Sequence, residues 1–166
     1  MVKPFTRDKD AIQAVLAIAE VALVSKVEGG SLLEDLEQIY AEFGYYKEDL
    51  VSLTLSGKDG SRRIKEITSN FREQLPTSMG GFPVERAEDY LRSETTWIAT
   101  GKTEAIHLPT ADVIKCYFED GSWFCLRPSG TEPKIKFYFS IRGESKEESA
   151  TKLEKVKADL MQHIEA

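Results

Sequence analysis

The sequence predicts a mixed α+β domain from about Tyr45 to the C-terminus, preceded by a pair of helices. Three observations carry this reading. The stretch up to Gly44 is apolar at helical spacing and punctuated by glycine. The stretch from Val113 to Arg142 alternates apolar and polar residues, the period of half-buried strands. Helical stripes then recur on both sides of that alternating region, so helices and strands share one length of chain.

Taken in order, Asp8 or Asp10 can cap a first helix, in which Ile12, Val15, Leu16, Ala19 and Leu23 form one apolar stripe. Gly29 and Gly30 end it, and Ser31 with Glu34 makes a capping box for a second helix. That helix is expected to bury Leu32, Leu33, Leu36, Ile39, Tyr40 and Phe43 before Gly44 stops it. Two helices this apolar read as the edge of a larger domain, with a stable helical hairpin as the alternative. Val51, Leu53 and Leu55 alternate with Ser52, Thr54 and Ser56 in a first strand. A helix from about Ser61 carries Ile64, Ile67, Phe71 and Leu75, and Pro76 stops it. A strand is expected from Pro83 to Tyr90. Val113–Glu119 and Ser122–Arg127 form a hairpin with Asp120-Gly121 as its turn. The strand from Lys134 to Arg142 puts Ile135, Phe137, Phe139 and Ile141 on one face. A last helix from about Lys146 uses Leu153, Val156, Leu160 and Ile164. The organisation is therefore 1–45 for the helical pair and 46–166 for the mixed domain.

Composition bounds what this unit does. At 166 residues and 41% hydrophobic content, one domain with an appendage is expected. The net charge of −6 disfavours a general nucleic-acid role, which needs a basic footprint. The most apolar run, Ala14 to Val24, is interrupted by Glu20 and is too short for a membrane span. No basic, apolar segment opens the chain, so secretion is not expected.

The stretch Arg127-Pro128-Ser129-Gly130-Thr131-Glu132-Pro133-Lys134 carries the most chemistry. A guanidinium presents a planar fork of donors matched to phosphate or carboxylate. Ser129 and Thr131 add hydroxyl donors, and Gly130 lets backbone amides approach a ligand closely. The two prolines stiffen the ends of the loop, so less entropy is lost on binding. Arg127 ends one strand and Lys134 begins the next, which puts both cations at one sheet edge. Lys136 shares a strand face with Lys134 and can add charge. Glu132 is the awkward member, and Pro133 is expected to hold it outward. The alternative is a tight turn with incidental polar residues.

The loop as it stands, RPSGTEPK, resembles the phosphate-binding loop in the C-terminal domain of the α-D-phosphohexomutases, the phosphoglucomutase and phosphomannomutase family. Asp120-Gly121-Ser122-Trp123 and Lys136-Phe137-Tyr138-Phe139 resemble the same family. So do Arg7-Asp8-Lys9-Asp10-Ala11, Phe43-Gly44-Tyr45-Tyr46 and Gly57-Lys58-Asp59-Gly60 upstream. The resemblance implies an antiparallel sheet flanked by helices, a TATA-binding-protein-like domain preceded by the last helices of a neighbouring domain. It implies that Arg127, Ser129, Gly130, Thr131 and Lys136 bind the substrate phosphate. The family's phosphoserine, metal and sugar-recognition loops are not found in this sequence. The chain thus looks like the C-terminal third of a mutase, with no catalytic residue of its own and no activity alone. In the parent, the resemblance implies Mg²⁺ held by residues outside this chain. It also implies interconversion of hexose 1-phosphate and hexose 6-phosphate through a bisphosphate, and the cytoplasm as location. The expected partners are the hexose phosphate and the parent's N-terminal domains. A hinge is expected near Gly44 to Asp49. A stand-alone sugar-phosphate-binding regulatory module is the alternative.

The remaining candidates are weaker. If Glu119 faces Ser122, Cys116 lies opposite Cys125. Two reduced, buried thiols are expected there, and a cross-strand disulfide is the alternative. Asp8 and Asp10 suit helix capping better than a metal. His107 and His163 lack any partner spacing.

Overall fold

The computed structural model describes residues 9–55 and 57–165. Arg7, the candidate cap Asp8 and the strand residue Ser56 lie outside them. The chain divides into two compact units, Met1–Gly44 and Tyr45–Ala166.

The first unit holds helices α1 (Ala11–Val27) and α2 (Leu32–Phe43). Asp10 caps α1 by accepting from the Gln13 amide at 3.0 Å. Ser31 caps α2, accepting from the Glu34 amide while its hydroxyl donates to the Glu34 carboxylate at 2.9 Å. Such a cap contributes about 1 kcal/mol. Gly29 and Gly44 take the positive φ values that end the two helices, at 85° and 99°. The expected burial differs. Leu33 is 75% exposed and Phe43 61%, and on α1 Ile12, Val15, Leu16, Ile18, Leu23 and Val27 are all open. Apolar residues wrap around α1 instead of forming one stripe, and two short helices cannot cover so much surface.

The second unit is an antiparallel sheet with both helices packed on one face. Its strands are β1 (Tyr45–Thr54), β2 (Ser78–Met79), β3 (Phe82–Asp89), β4 (Glu94–Trp97), β5 (Thr103–Ala105), β6 (Ile114–Phe118), β7 (Trp123–Pro128) and β8 (Lys134–Gly143). They lie in the order β1-β8-β7-β6-β3-β4-β5, with β2 paired to β3. Helices α3 (Lys58–Glu73) and α4 (Lys146–Glu165) supply the stripes read from the sequence. Ile64, Ile67 and Phe71 from α3, and Leu153, Val156, Leu160 and Ile164 from α4, are buried. They meet Ile135, Phe137, Phe139 and Ile141 of β8 with Phe124 and Leu126 of β7. Each fully buried side chain of this size contributes about 1.5–3 kcal/mol. Arg72, almost buried, donates to Asp89 at 3.1 Å and to Asp112, which ties α3 to the sheet.

Two expectations are corrected. Strand β1 starts at Tyr45 and pairs along its whole length with β8, Asp49 lying opposite Phe139. Ladder pairing therefore takes the segment from Tyr45 to Asp49 into the sheet, so it is not the loop the sequence reading expected. The β6–β7 turn takes in Glu119 as well as Asp120 and Gly121. The Phe118 amide donates to the Ser122 carbonyl at 2.9 Å, and Gly121 has φ 83°. This is a three-residue turn with its left-handed glycine, in place of a two-residue one. The added residue shifts the register by one, so Cys116 faces Phe124 and Cys125 faces Lys115. A one-residue shift sends side chains to opposite faces. The cysteines are free and both are buried.

Burial raises both thiols, that of Cys125 to about 11. Thiolate is the reactive form, so at neutral pH both cysteines should label at least tenfold more slowly in the folded protein than in denaturant. Rapid labelling of Cys116 in the native state would contradict the fold.

The turn is also bolted to α4. Asp120 accepts from the Ser122 amide at 3.0 Å and from the Lys152 ammonium, and Ser122 Oγ accepts from the Arg142 amide at 2.9 Å. Burial pushes the Asp120 carboxyl up, but the Lys152 and Ser122 donors outweigh it and hold the group below its ordinary 3.8. A depressed carboxyl stabilises the fold above its unfolded value, and that contribution is lost as pH falls through the folded value. Asp120→Asn should therefore be less stable than the parent chain at pH 7. Denaturant melts should show the gap narrowing as pH drops below about 4.

Candidate functional site

The loop Ser129–Pro133 joins β7 to β8 and is held from three sides. The Ser129 amide donates to the Lys134 carbonyl at 2.7 Å, and the Lys134 amide to the Glu132 carbonyl at 2.7 Å. Just past β1, the Leu55 amide donates to the Pro133 carbonyl at 2.9 Å. Inside the loop, Ser129 Oγ accepts from the amides of Thr131 and Glu132 at 3.4 and 3.3 Å. Those bonds use the lone pairs of the hydroxyl and leave its proton to donate outward.

This arrangement frames an open pocket of about 310 Å³, lined by Arg127, Pro128, Ser129, Gly130, Thr131, Lys136 and Tyr138. All five residues read from the sequence as site residues line it. Arg127 and Lys136 are register partners on β7 and β8. Among the described residues neither has a carboxylate within ion-pair distance. Two unpaired cations beside hydroxyl and amide donors make a local positive site on an acidic protein.

Lys134 behaves differently from expectation. Its ammonium binds the Glu132 carboxylate at 2.9 Å, outside the pocket. That bond holds the exposed Glu132 carboxyl below the usual carboxylate range. Lys134 thus turns the troublesome carboxylate away, a task the sequence reading gave to Pro133, and contributes no free charge.

Gly130 has no left-handed φ, and a side chain added there would meet nothing within 4 Å. The backbone does not require glycine at this position. Gly130 nonetheless lines the pocket. Gly130→Val should leave stability within about 0.5 kcal/mol of the parent chain. The same change should weaken anion binding by at least about tenfold, measurable by calorimetry.

Sequence reasoning missed Tyr138. It sits two residues beyond Lys136, and strand periodicity puts both on the sheet face opposite the helices. A larger cavity of about 550 Å³ lies beside β3 and β4, but Glu85, Glu104 and Glu119 line it and its Lys102 is paired to Glu104. That cavity repels anions. Of the other sequence candidates, Asp10 is a helix cap and His163 packs edge-on against Phe71 at 5.8 Å. Among the described residues, no group of three or more His, Cys, Asp or Glu could hold a metal ion. No helix among them is long and apolar enough to cross a membrane.

Residues 76–161 match the family described as phosphoglucomutase/phosphomannomutase, C-terminal domain. Phosphoglucomutases of Staphylococcus aureus strains MSSA476 and MW2 are each 40% identical over 151 residues. That alignment covers 91% of this chain but 27% of theirs, so the chain spans about a quarter of the length of these relatives. In three dimensions the chain is similar to parafusin, an exocytosis-sensitive phosphoprotein and phosphoglucomutase from Paramecium, in its open form. The TM-score is 0.62 at 20% identity, covering 97% of this chain and 28% of that one.

Proposed function

The chain belongs to the phosphoglucomutase/phosphomannomutase C-terminal domain family, and from that premise we propose that it grips the substrate phosphate of a phosphohexomutase. One observation carries the proposal. Arg127 and Lys136 lie side by side on neighbouring strands, without an ion-pair partner among the described residues, and line a pocket completed by Ser129, Gly130 and Thr131.

In the parent enzyme, a phosphoserine elsewhere would exchange its phosphoryl group with a hexose 1-phosphate or hexose 6-phosphate by way of a bisphosphate. Phosphoryl transfer depends chiefly on positioning and charge neutralisation. The contribution of this chain is to hold the phosphate that is not reacting. Arg127 supplies a bidentate pair of N–H donors, Ser129 and Thr131 their hydroxyls, Gly130 an amide, and Lys136 a second positive charge. Mg²⁺ would serve the parent through residues outside this chain. The names of the relatives favour glucose 1-phosphate and glucose 6-phosphate as the substrate pair.

On the same reading α1 and α2 are the closing helices of the preceding domain, and Gly44 is the joint. The exposure of Leu16, Leu33 and Phe43 supports this over a stand-alone regulatory module, since an independent module would leave that surface in water. Two free, buried thiols suit a cytoplasmic protein.

Calorimetry with glucose 1-phosphate and with glucose tests the proposal. Saturable binding of the phosphate ester alone is expected, with no turnover in a coupled mutase assay. Equal binding of glucose would contradict a phosphate grip, and turnover by this chain alone would contradict its role as a part.

A further inference from the structure

Beyond the phosphate loop, the open face of the sheet carries a second feature. Strand pairing arranges it in rows. The first row runs Ser52–Lys136–Arg127, the second Leu50–Tyr138–Cys125, and the third Glu48–Ser140–Trp123. Successive rows lie two residues apart along each strand, or roughly 7 Å. The first row is the cationic edge of the phosphate pocket. The second and third form an adjoining pocket of about 430 Å³, lined by Leu50, Tyr138, Trp123 and Glu48 among others. Tyr138 lines both pockets and is their common wall. The Lys115 ammonium sits over the Trp123 ring, 3.9 Å from its centroid.

We propose that this second pocket is a sugar-ring subsite, with Tyr138 as its platform. The inference rests on the phosphate-gripping reading above. With the phosphate on Arg127 and Lys136, the ring it esterifies falls one row away, over Tyr138. The C–H faces of a hexose stack on an aromatic ring, and its hydroxyls need acceptors at the edge. Glu48, exposed on the same face one row further on, supplies a carboxylate for them, and Trp123 closes the far wall. The occupant is therefore the hexose of the phosphate ester, and the domain reads part of the sugar as well as its charge.

The test compares glucose 1-phosphate with methyl phosphate, a monoester of the same charge and no ring. Calorimetry on the full chain should give a three- to tenfold tighter constant for the sugar ester, the range expected of one aromatic contact. Tyr138→Leu should bring the ratio of the two constants, both measured in that variant, to about one, while Tyr138→Phe should keep the preference. Equal affinities in the parent chain would overturn the platform yet leave the phosphate grip standing, and this comparison needs no variant to fold. A preference that survives Tyr138→Leu would likewise overturn it. Failure of both esters to bind would overturn the grip and the platform together.

Discussion

Arg127→Ala is expected to abolish detectable binding of glucose 1-phosphate while shifting the thermal midpoint by no more than about 2 °C. The side chain is exposed at the end of β7 and makes no ion pair among the described residues, so its removal leaves the core intact. Its loss takes away the planar donor fork and half of the unpaired positive charge in the pocket. Charge-assisted hydrogen bonds contribute about 1.5–3 kcal/mol each, so a bidentate pair accounts for a hundredfold or more in affinity. Lys at this position should restore only part of the binding, because an ammonium lacks the fork geometry. If Arg127→Ala instead unfolded the protein, the loop would be a structural turn first. In the parent enzyme the same change is expected to raise KM more than it lowers kcat.

Phe137→Ala should have the largest effect on stability, a loss of about 3–5 kcal/mol in urea melts. Phe137 is fully buried on β8, beneath α3 and α4, beside Ile135, Phe139 and Leu126. Strand β8 lies between β1 and β7, so neighbours on both sides limit collapse into the cavity. The substitution also bears on function. β8 carries Lys136 and Tyr138 on its other face, and loosening the strand moves both. Phe137→Leu, closer in volume, should cost no more than about 1.5 kcal/mol and preserve binding. A loss below about 1 kcal/mol for the alanine variant would contradict the packing described here.

Much of this was legible in the sequence because the informative residues are close together. Arg127, Ser129, Gly130 and Thr131 are contiguous, and the period of two carries the argument on to Lys136. The same period assigned Ile135, Phe137, Phe139 and Ile141 to the buried face, where they lie. Tyr138 obeys that rule equally well, but a tyrosine in a strand reads first as a strand former, and its place on a pocket wall depends on pairing with β1. The cysteine register failed for a local reason. Asp-Gly is a strong two-residue turn signal, yet Glu119 joined the turn and the whole ladder slipped by one. Strands β4 and β5 are short and rich in Thr and Glu, so no alternation marked them. The charged run Lys47-Glu48-Asp49 hid the start of β1. Its partners are on β8, far along the chain, and Asp49 is held by Lys157 of α4 at 2.6 Å. Interactions between distant segments leave no local pattern.

The central claim is that the loop from Arg127 to Lys136 grips phosphate. The most direct test is an amide NMR titration of this chain with glucose 1-phosphate, with glucose and the Arg127→Ala variant as controls. The account predicts saturable shifts confined to residues 127–138, absent with glucose and absent in the variant. Saturable shifts that persist in Arg127→Ala, or that map to another surface, would contradict it.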